Sequence, residues 1–110
     1  MLSQAEVEAL VEGFTDEVRK TIPKGESVKY KVYEVANSKS GLQASAKSGG
    51  EVVNDIESHA LIEISQVMAM LMAEVSRVAQ DIIMTCNVSN QYEKEDNKYN
   101  VFLLCSKLGM

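Results

Sequence analysis

The sequence predicts an α+β fold in which two helices pack against an antiparallel sheet. Three observations favour it: two long stretches show helical apolar spacing, other segments alternate apolar and polar residues between turn formers, and 45% of the 110 residues are apolar. A chain of this length buries about 65% of its unfolded surface without staples. We therefore expect one domain spanning residues 1–110, with its elements in the order α-β-β-α-β-β.

The first element is an amphipathic helix. Ser3 and Glu6 have the spacing of a capping box, in which each side chain satisfies a backbone amide of the other residue. Pro23 disfavours helical backbone at the residue before it, so the helix should end near Thr21. One face is apolar and the opposite face is acidic; the apolar positions are Val7, Leu10, Val11, Phe14 and Val18.

Two strands should follow and form a hairpin. Val28, Tyr30 and Val32 alternate with lysines, and residues 37–41 are rich in turn formers. Symmetric pairing about that turn sets Val32 opposite Leu42. The hairpin would then have one apolar face and one basic face, the latter bearing Lys29, Lys31 and Lys39.

The longest periodic stretch predicts a second helix that begins at Ser48-Gly49-Gly50, where Ser48 and Glu51 repeat the capping-box spacing. A helix from Glu51 to Ile83 would be about 50 Å long, whereas a compact chain of this size is about 34 Å across. We expect that the helix either breaks near Ser58-His59 or projects and is covered by another chain.

One segment of this helix is apolar on every side, and such a helix must be buried on every side. It consists of Val67, Met68, Ala69, Met70, Leu71, Met72 and Ala73. The sheet and the first helix cover two sides, so we predict a homo-oligomer, with a dimer favoured, whose interface lies on this segment. The alternative is a fully internal helix.

The last third predicts a second hairpin around a charged loop. Its symmetric register sets Val88 opposite Leu103 and Cys86 opposite Cys105. Two cysteines are too few for a disulfide scaffold or a zinc site. This register would allow them to pair across the strands, but in a cytosolic protein we expect them to stay reduced and to pack as small apolar residues. The overall order of elements resembles that of small roadblock and longin-like modules. This resemblance is architectural, carries no sequence motif and transfers no functional residue.

The sequence offers little for catalysis and predicts a non-enzymatic protein without catalytic residues, cofactor or metal. His59 is the single histidine, and helical spacing places Asp55 and Glu63 on its face. A carboxylate-histidine pair suits acid-base chemistry. No convincing nucleophile lies nearby in sequence, and a solvated charged face explains the same pattern.

Two binding functions remain open as alternatives. A small anionic ligand or nucleotide would be held at the predicted helix start by Lys47, Ser48, Gly49 and Gly50, because helix N-terminal amides favour anions. The basic hairpin over residues 24–47 would contact nucleic acid weakly. The net charge of -5 and the absence of arginine from the hairpin argue against that second alternative.

Charge is segregated along the chain: residues 1–18 carry -5, residues 19–50 carry +5 and residues 51–93 carry -6. Such segregation favours electrostatic complementarity between subunits. The leading hypothesis is therefore a small cytoplasmic, oligomeric protein-binding module with no membrane segment. An adaptor, a chaperone-like subunit or an inhibitor of mobile-element type would each have these properties.

Overall fold

A computed structural model describes residues 1–54, 64–88 and 98–108. Its helices are α1 (Gln4–Thr21) and α2 (Ile64–Asp81). Its strands are β1 (Ser27–Ser38), β2 (Gly41–Val53), β3 (Met84–Val88) and β4 (Lys98–Lys107). Two helices with one four-stranded sheet confirm the α+β class.

The sheet is mixed, so the prediction of an antiparallel sheet is wrong at its centre. The strand order is β2-β1-β4-β3; both hairpins are antiparallel, but β1 and β4 are parallel. Alternating side chains determine the faces of each hairpin and carry no information about how two hairpins join. The relative direction of β1 and β4 is decided by where the chain returns to the sheet after α2.

The core lies on one face of this sheet. Both helices and the buried strand residues belong to a single apolar cluster. The strand residues in it are Val28, Val32, Val52, Met84, Val88, Tyr99, Val101, Leu103 and Cys105. The predicted capping box at the start of α1 is confirmed, since the Glu6 amide donates to the Ser3 hydroxyl and the Ser3 amide donates to the Glu6 carboxylate.

The predicted helix start at Ser48-Gly49-Gly50 is wrong, because these residues lie within β2. Gly49 and Gly50 pair with Lys31 and Tyr30 of β1. The ring of Tyr30 lies over Gly50, where an added Cβ would come within 2.8 Å of the tyrosine hydroxyl. Pairing with β1 and packing of the Tyr30 ring therefore outweigh the local helix-capping pattern, and both depend on the neighbouring strand.

The register of the first hairpin also differs from the prediction. Val32 pairs with Ser48 rather than with Leu42, because the turn contains only Lys39 and Ser40 and the strands are longer than predicted. A bulge leaves Lys47 as the extra residue between Ser48 and Ala46. As a result Leu42 pairs with Asn37 and lies far from the core.

Within the described residues, helix α2 contains 18 residues. Glu51 and Val53 belong to β2, so the stretch that begins at Glu51 is not a single helix. The predicted break near Ser58-His59 lies outside the residues that the structure describes.

The predicted register of the second hairpin is confirmed for Cys86–Cys105 and Val88–Leu103. The cysteines form a disulfide between β3 and β4, so the expectation that they stay reduced is wrong. Directly opposite residues on antiparallel strands lie at a separation that a disulfide can bridge.

Candidate functional site

The face of the sheet away from the helices, here called the open face, has no helix over it in the described part of the chain. Its side chains form rows that run across β2, β1 and β4. One row is Glu51–Lys29–Asn100 and the next is Gly49–Lys31–Phe102. Beyond them lie Tyr33 and Leu104, and the rings of Tyr33 and Phe102 are 6.2 Å apart. The open face is therefore basic at one end and aromatic beside it.

A depression of about 580 Å³ lies over these rows. It forms because Gly49 has no side chain, so that its backbone is the floor beside the stem of Lys31. Lys29 and Lys31 project to this face from alternate positions of β1, about 7 Å apart along the strand. Phe102 and Asn100 of β4 complete the wall on the other side.

The predicted anion-binding residues are separated by the fold. Gly49 and Gly50 line the depression, whereas Lys47 lies at the bulge and Ser48 points to the helix side beside Val32. The helix dipole that motivated the prediction is absent at this position because the segment is strand. Asn100 and Phe102 were missed; the one available signal was that residues 101–104 are apolar on both faces.

The predicted basic face is split as well. Lys29 and Lys31 share the open face, but Lys39 is in the turn at the far end of the hairpin. Lys39 is eight positions beyond Lys31 along the chain, or about 26 Å at the rise of a strand. These three lysines therefore do not form one contiguous phosphate-binding patch.

Strand β2 is at one edge of the sheet and contains 13 residues. Among the described residues it pairs only with β1, and nearly all of it is exposed. Natural edge strands are usually short, or carry prolines, several charges or bulges, which discourage pairing with another chain; β2 has one of these devices, the bulge at Lys47. Between Gly41 and Val53 the sequence has no proline and only two charged residues, Lys47 and Glu51.

The predicted interface on α2 divides into two sets. Val67, Met68 and Leu71 are buried in the core of this chain. The remaining members, Ala69, Met70, Met72 and Ala73, are exposed, and Met70 and Met72 retain 42% and 43% of their accessible surface. We call these four residues the α2 strip. Residues 67–73 are thus apolar on every side, but only their exposed side is available to another chain.

Glu6, Glu74 and Arg77, which lie on the helices, have shifted pKa values. Hydrogen bonding from Ser3 and Lys107 lowers the pKa of Glu6. Arg77 lowers the pKa of Glu74 through a hydrogen bond, and Glu74 raises the pKa of Arg77 in turn. These are a helix cap and an ion pair of ordinary kind whose carboxylates are partly buried, and they identify no catalytic group.

Residues 1–54, 64–88 and 98–108 contain no group of three or more candidate metal ligands. The acid-base candidates Asp55, His59 and Glu63 lie outside those ranges. Within the same ranges, no helix has the length and apolarity needed to cross a membrane.

No family model, curated protein or solved structure matches this chain. The function therefore has to be argued from the open face, the edge of β2 and the α2 strip.

Proposed function

We propose that this chain is a non-enzymatic protein-binding module that self-associates by pairing the edge of β2 with the same edge of a second copy. The observation that carries the proposal is the long, exposed and weakly charged edge that β2 presents. Unpaired backbone amides and carbonyls on such an edge are satisfied by a strand from another chain.

The sequence of β2 is suited to a two-fold antiparallel pairing centred on Gly49. Lys47 and Glu51 are equally distant from Gly49, so that pairing sets Lys47 of each copy opposite Glu51 of the other. Opposite charges in directly facing cross-strand positions stabilise a pair by about 0.2–1 kcal/mol. The residues between them, Ser48, Gly49 and Gly50, are small and leave the approach of the two backbones unobstructed.

The α2 strip is assigned to a partner protein rather than to this dimer. It lies on α2, which packs against β3 at the opposite edge of the sheet, so that pairing of the β2 edges leaves the strip exposed. Exposed methionines adapt to differently shaped partners because their side chains are flexible and polarizable. An adaptor, a chaperone-like subunit or an inhibitor of mobile-element type remains the class of role that fits.

The test is the molar mass in solution, measured by light scattering after size exclusion over a wide range of concentration. We expect the wild-type protein to approach twice the 12.1 kDa mass of the chain as concentration rises. Lys47→Glu places two carboxylates opposite each other in both symmetric pairs and should raise the dissociation constant about tenfold. The charge-swapped double variant, Lys47→Glu with Glu51→Lys, should restore dimerisation.

Lys39→Glu is the matched control, because it makes the same charge change on the same hairpin but away from the proposed pairing. It should leave the dissociation constant unchanged. A mass of 12.1 kDa at every concentration would reject self-association. A dissociation constant that is unchanged by Lys47→Glu would reject the pairing about Gly49. A double variant that dimerises as weakly as Lys47→Glu alone would also reject it. Thermal denaturation of each variant separates these results from loss of folding.

A further inference from the structure

We propose that the depression on the open face binds a small ligand that combines a planar ring with a single negative charge. This inference goes beyond the self-association proposed above: both use Gly49 and Glu51 of β2, but the ligand would lie on a face of the sheet, whereas the second copy would pair with its backbone edge. The carrying observation is that Lys31 lies between a bare glycine backbone and an aromatic ring, with Lys29 and Asn100 in the next row.

The anion-binding part of the site is the pair of lysines. Both ammonium groups are on flexible stems that rise from the same face of β1, so they can converge on one oxyanion. The cross-strand neighbours of Lys31 are Gly49 and Phe102, and among the described residues no salt bridge involves Lys31. The positive charge of Lys31 is therefore available to a ligand.

The ring-binding part is formed by Phe102 and Gly49. Phe102 is half-buried at the wall of the depression, and the Tyr33 ring packs against it and limits its movement. Gly49 adds no side chain of its own beside the Lys31 stem, whose Cγ would lie 3.6 Å from a Cβ at residue 49. A planar ring placed against Phe102 contacts an aromatic face, with the Lys31 stem beside it and the glycine backbone beyond that stem.

The charge of the ligand follows from Glu51. This carboxylate is directly across from Lys29 in the same depression, so that two lysines and one glutamate give the lining a formal charge of +1. A monoanion such as a carboxylate or a phosphodiester is matched to this lining. A polyphosphate would bring its additional negative charge next to Glu51, which like-charge repulsion disfavours.

The experiment is titration of the 15N-labelled protein, followed by amide chemical shifts, at low ionic strength. The probes are 3′,5′-cyclic AMP, which has a ring and one charge, adenosine, which has the ring alone, and ATP, which has several charges. We expect cyclic AMP to shift the amides of Gly49, Gly50, Asn100 and Phe102, and to bind at least tenfold more tightly than adenosine or ATP.

Variants assign each part of the site. Lys31→Gln should weaken cyclic AMP about tenfold and leave adenosine unaffected, whereas Phe102→Leu should weaken both. Glu51→Gln should strengthen ATP more than cyclic AMP, because it removes the repelling carboxylate. Lys39→Gln, far along the hairpin, is the matched control and should change nothing.

Several results would overturn the proposal. These are the absence of shifts with cyclic AMP, shifts centred on other residues, and an affinity that is the same for Lys31→Gln as for the wild type. Equal binding of adenosine and cyclic AMP would also overturn it, since the anion would then contribute nothing. The fold of Lys31→Gln and of Phe102→Leu is checked by the dispersion of the same spectra, so that loss of binding and loss of structure remain distinct.

Discussion

Gly13 of α1 packs directly against Val78 of α2, and a Cβ at residue 13 would come within 2.6 Å of a Val78 methyl carbon. This contact sets the distance between the two helices. A glycine within a helix lowers the stability of the folded protein by about 0.5–1 kcal/mol relative to alanine. Its presence here indicates that the close packing of α2 against α1 contributes more stability than this.

Gly13→Ala should therefore destabilise the protein by about 1 kcal/mol net, because overpacking against Val78 costs about 1–3 kcal/mol and better helix propensity returns part of it. Chemical denaturation measures the free energy of unfolding. The matched double variant, Gly13→Ala with Val78→Ala, should show a favourable coupling, since the smaller residue makes room for the new methyl group. Strict additivity of the two substitutions would show that the two side chains do not clash.

Asn54 should be an essential link between the end of β2 and the end of α1. Its side chain is fully buried and donates to the Ile22 carbonyl. Its backbone amide donates to the Glu26 carbonyl at 3.0 Å, and its backbone carbonyl accepts from the Gly25 amide at 2.8 Å. Asn54→Ala leaves the Ile22 carbonyl without this donor, so we expect a loss of about 1–3 kcal/mol in the free energy of unfolding.

Asn54→Asp is the isosteric comparison. It replaces the donating amide by a carboxylate that cannot donate when ionised, and it buries a charge beside the Ile22 carbonyl. Its loss of stability near neutral pH should exceed that of Asn54→Ala. Equal stability of Asn54→Asp and the wild type, measured by thermal denaturation, would show that the hydrogen bond contributes nothing.

The disulfide between Cys86 and Cys105 should stabilise the protein by about 3 kcal/mol, the loop-entropy value for its sequence separation of 19 residues. Thermal denaturation with and without a reductant measures this contribution. The double variant, Cys86→Ala with Cys105→Ala, should match the reduced wild-type protein and show no response to the reductant. A wild-type melting temperature that does not change on reduction would show that the disulfide does not stabilise the fold.

The exposed and buried apolar residues of α2 should respond differently to substitution. Leu71 is fully buried, so Leu71→Ala should cost about 2–5 kcal/mol. Met70 is 42% exposed, so Met70→Glu should leave the fold intact and, because self-association is proposed on β2, should leave the solution mass unchanged. Dissociation of the oligomer by Met70→Glu would instead place the interface on the α2 strip.

The cap of α1 should give the protein an acid-sensitive contact. Ser3, with Lys107, holds the pKa of Glu6 below its ordinary value in the folded state. A lowered folded-state pKa stabilises the fold above the unfolded-state pKa, and that contribution is lost as pH falls through the folded-state value. Glu6→Gln should therefore destabilise the protein near neutral pH and have little effect in acid. A difference in melting temperature that is independent of pH would contradict this assignment.

The sequence by itself determined the features that depend on neighbours along the chain. The capping pattern of Ser3 and Glu6 and the stop imposed by Pro23 determined α1. Symmetric pairing about the charged segment in the last third of the sequence predicted the register that sets Cys86 opposite Cys105. In each case the deciding contacts join residues that are close in sequence or symmetric about a turn, so the pattern alone contains them.

Only the tertiary structure decided the features that depend on distant strands. Whether Ser48, Gly49 and Gly50 begin a helix or continue a strand depends on the ladder with Lys31 and on the Tyr30 ring. The parallel pairing of β1 with β4 brings Phe102 beside Lys31, and no local pattern records that pairing. This parallel pairing produces the mixed sheet, places β2 at an edge and forms the depression. Hydrogen bonds between strands that are distant in sequence set this pairing, whatever structure the local sequence favours.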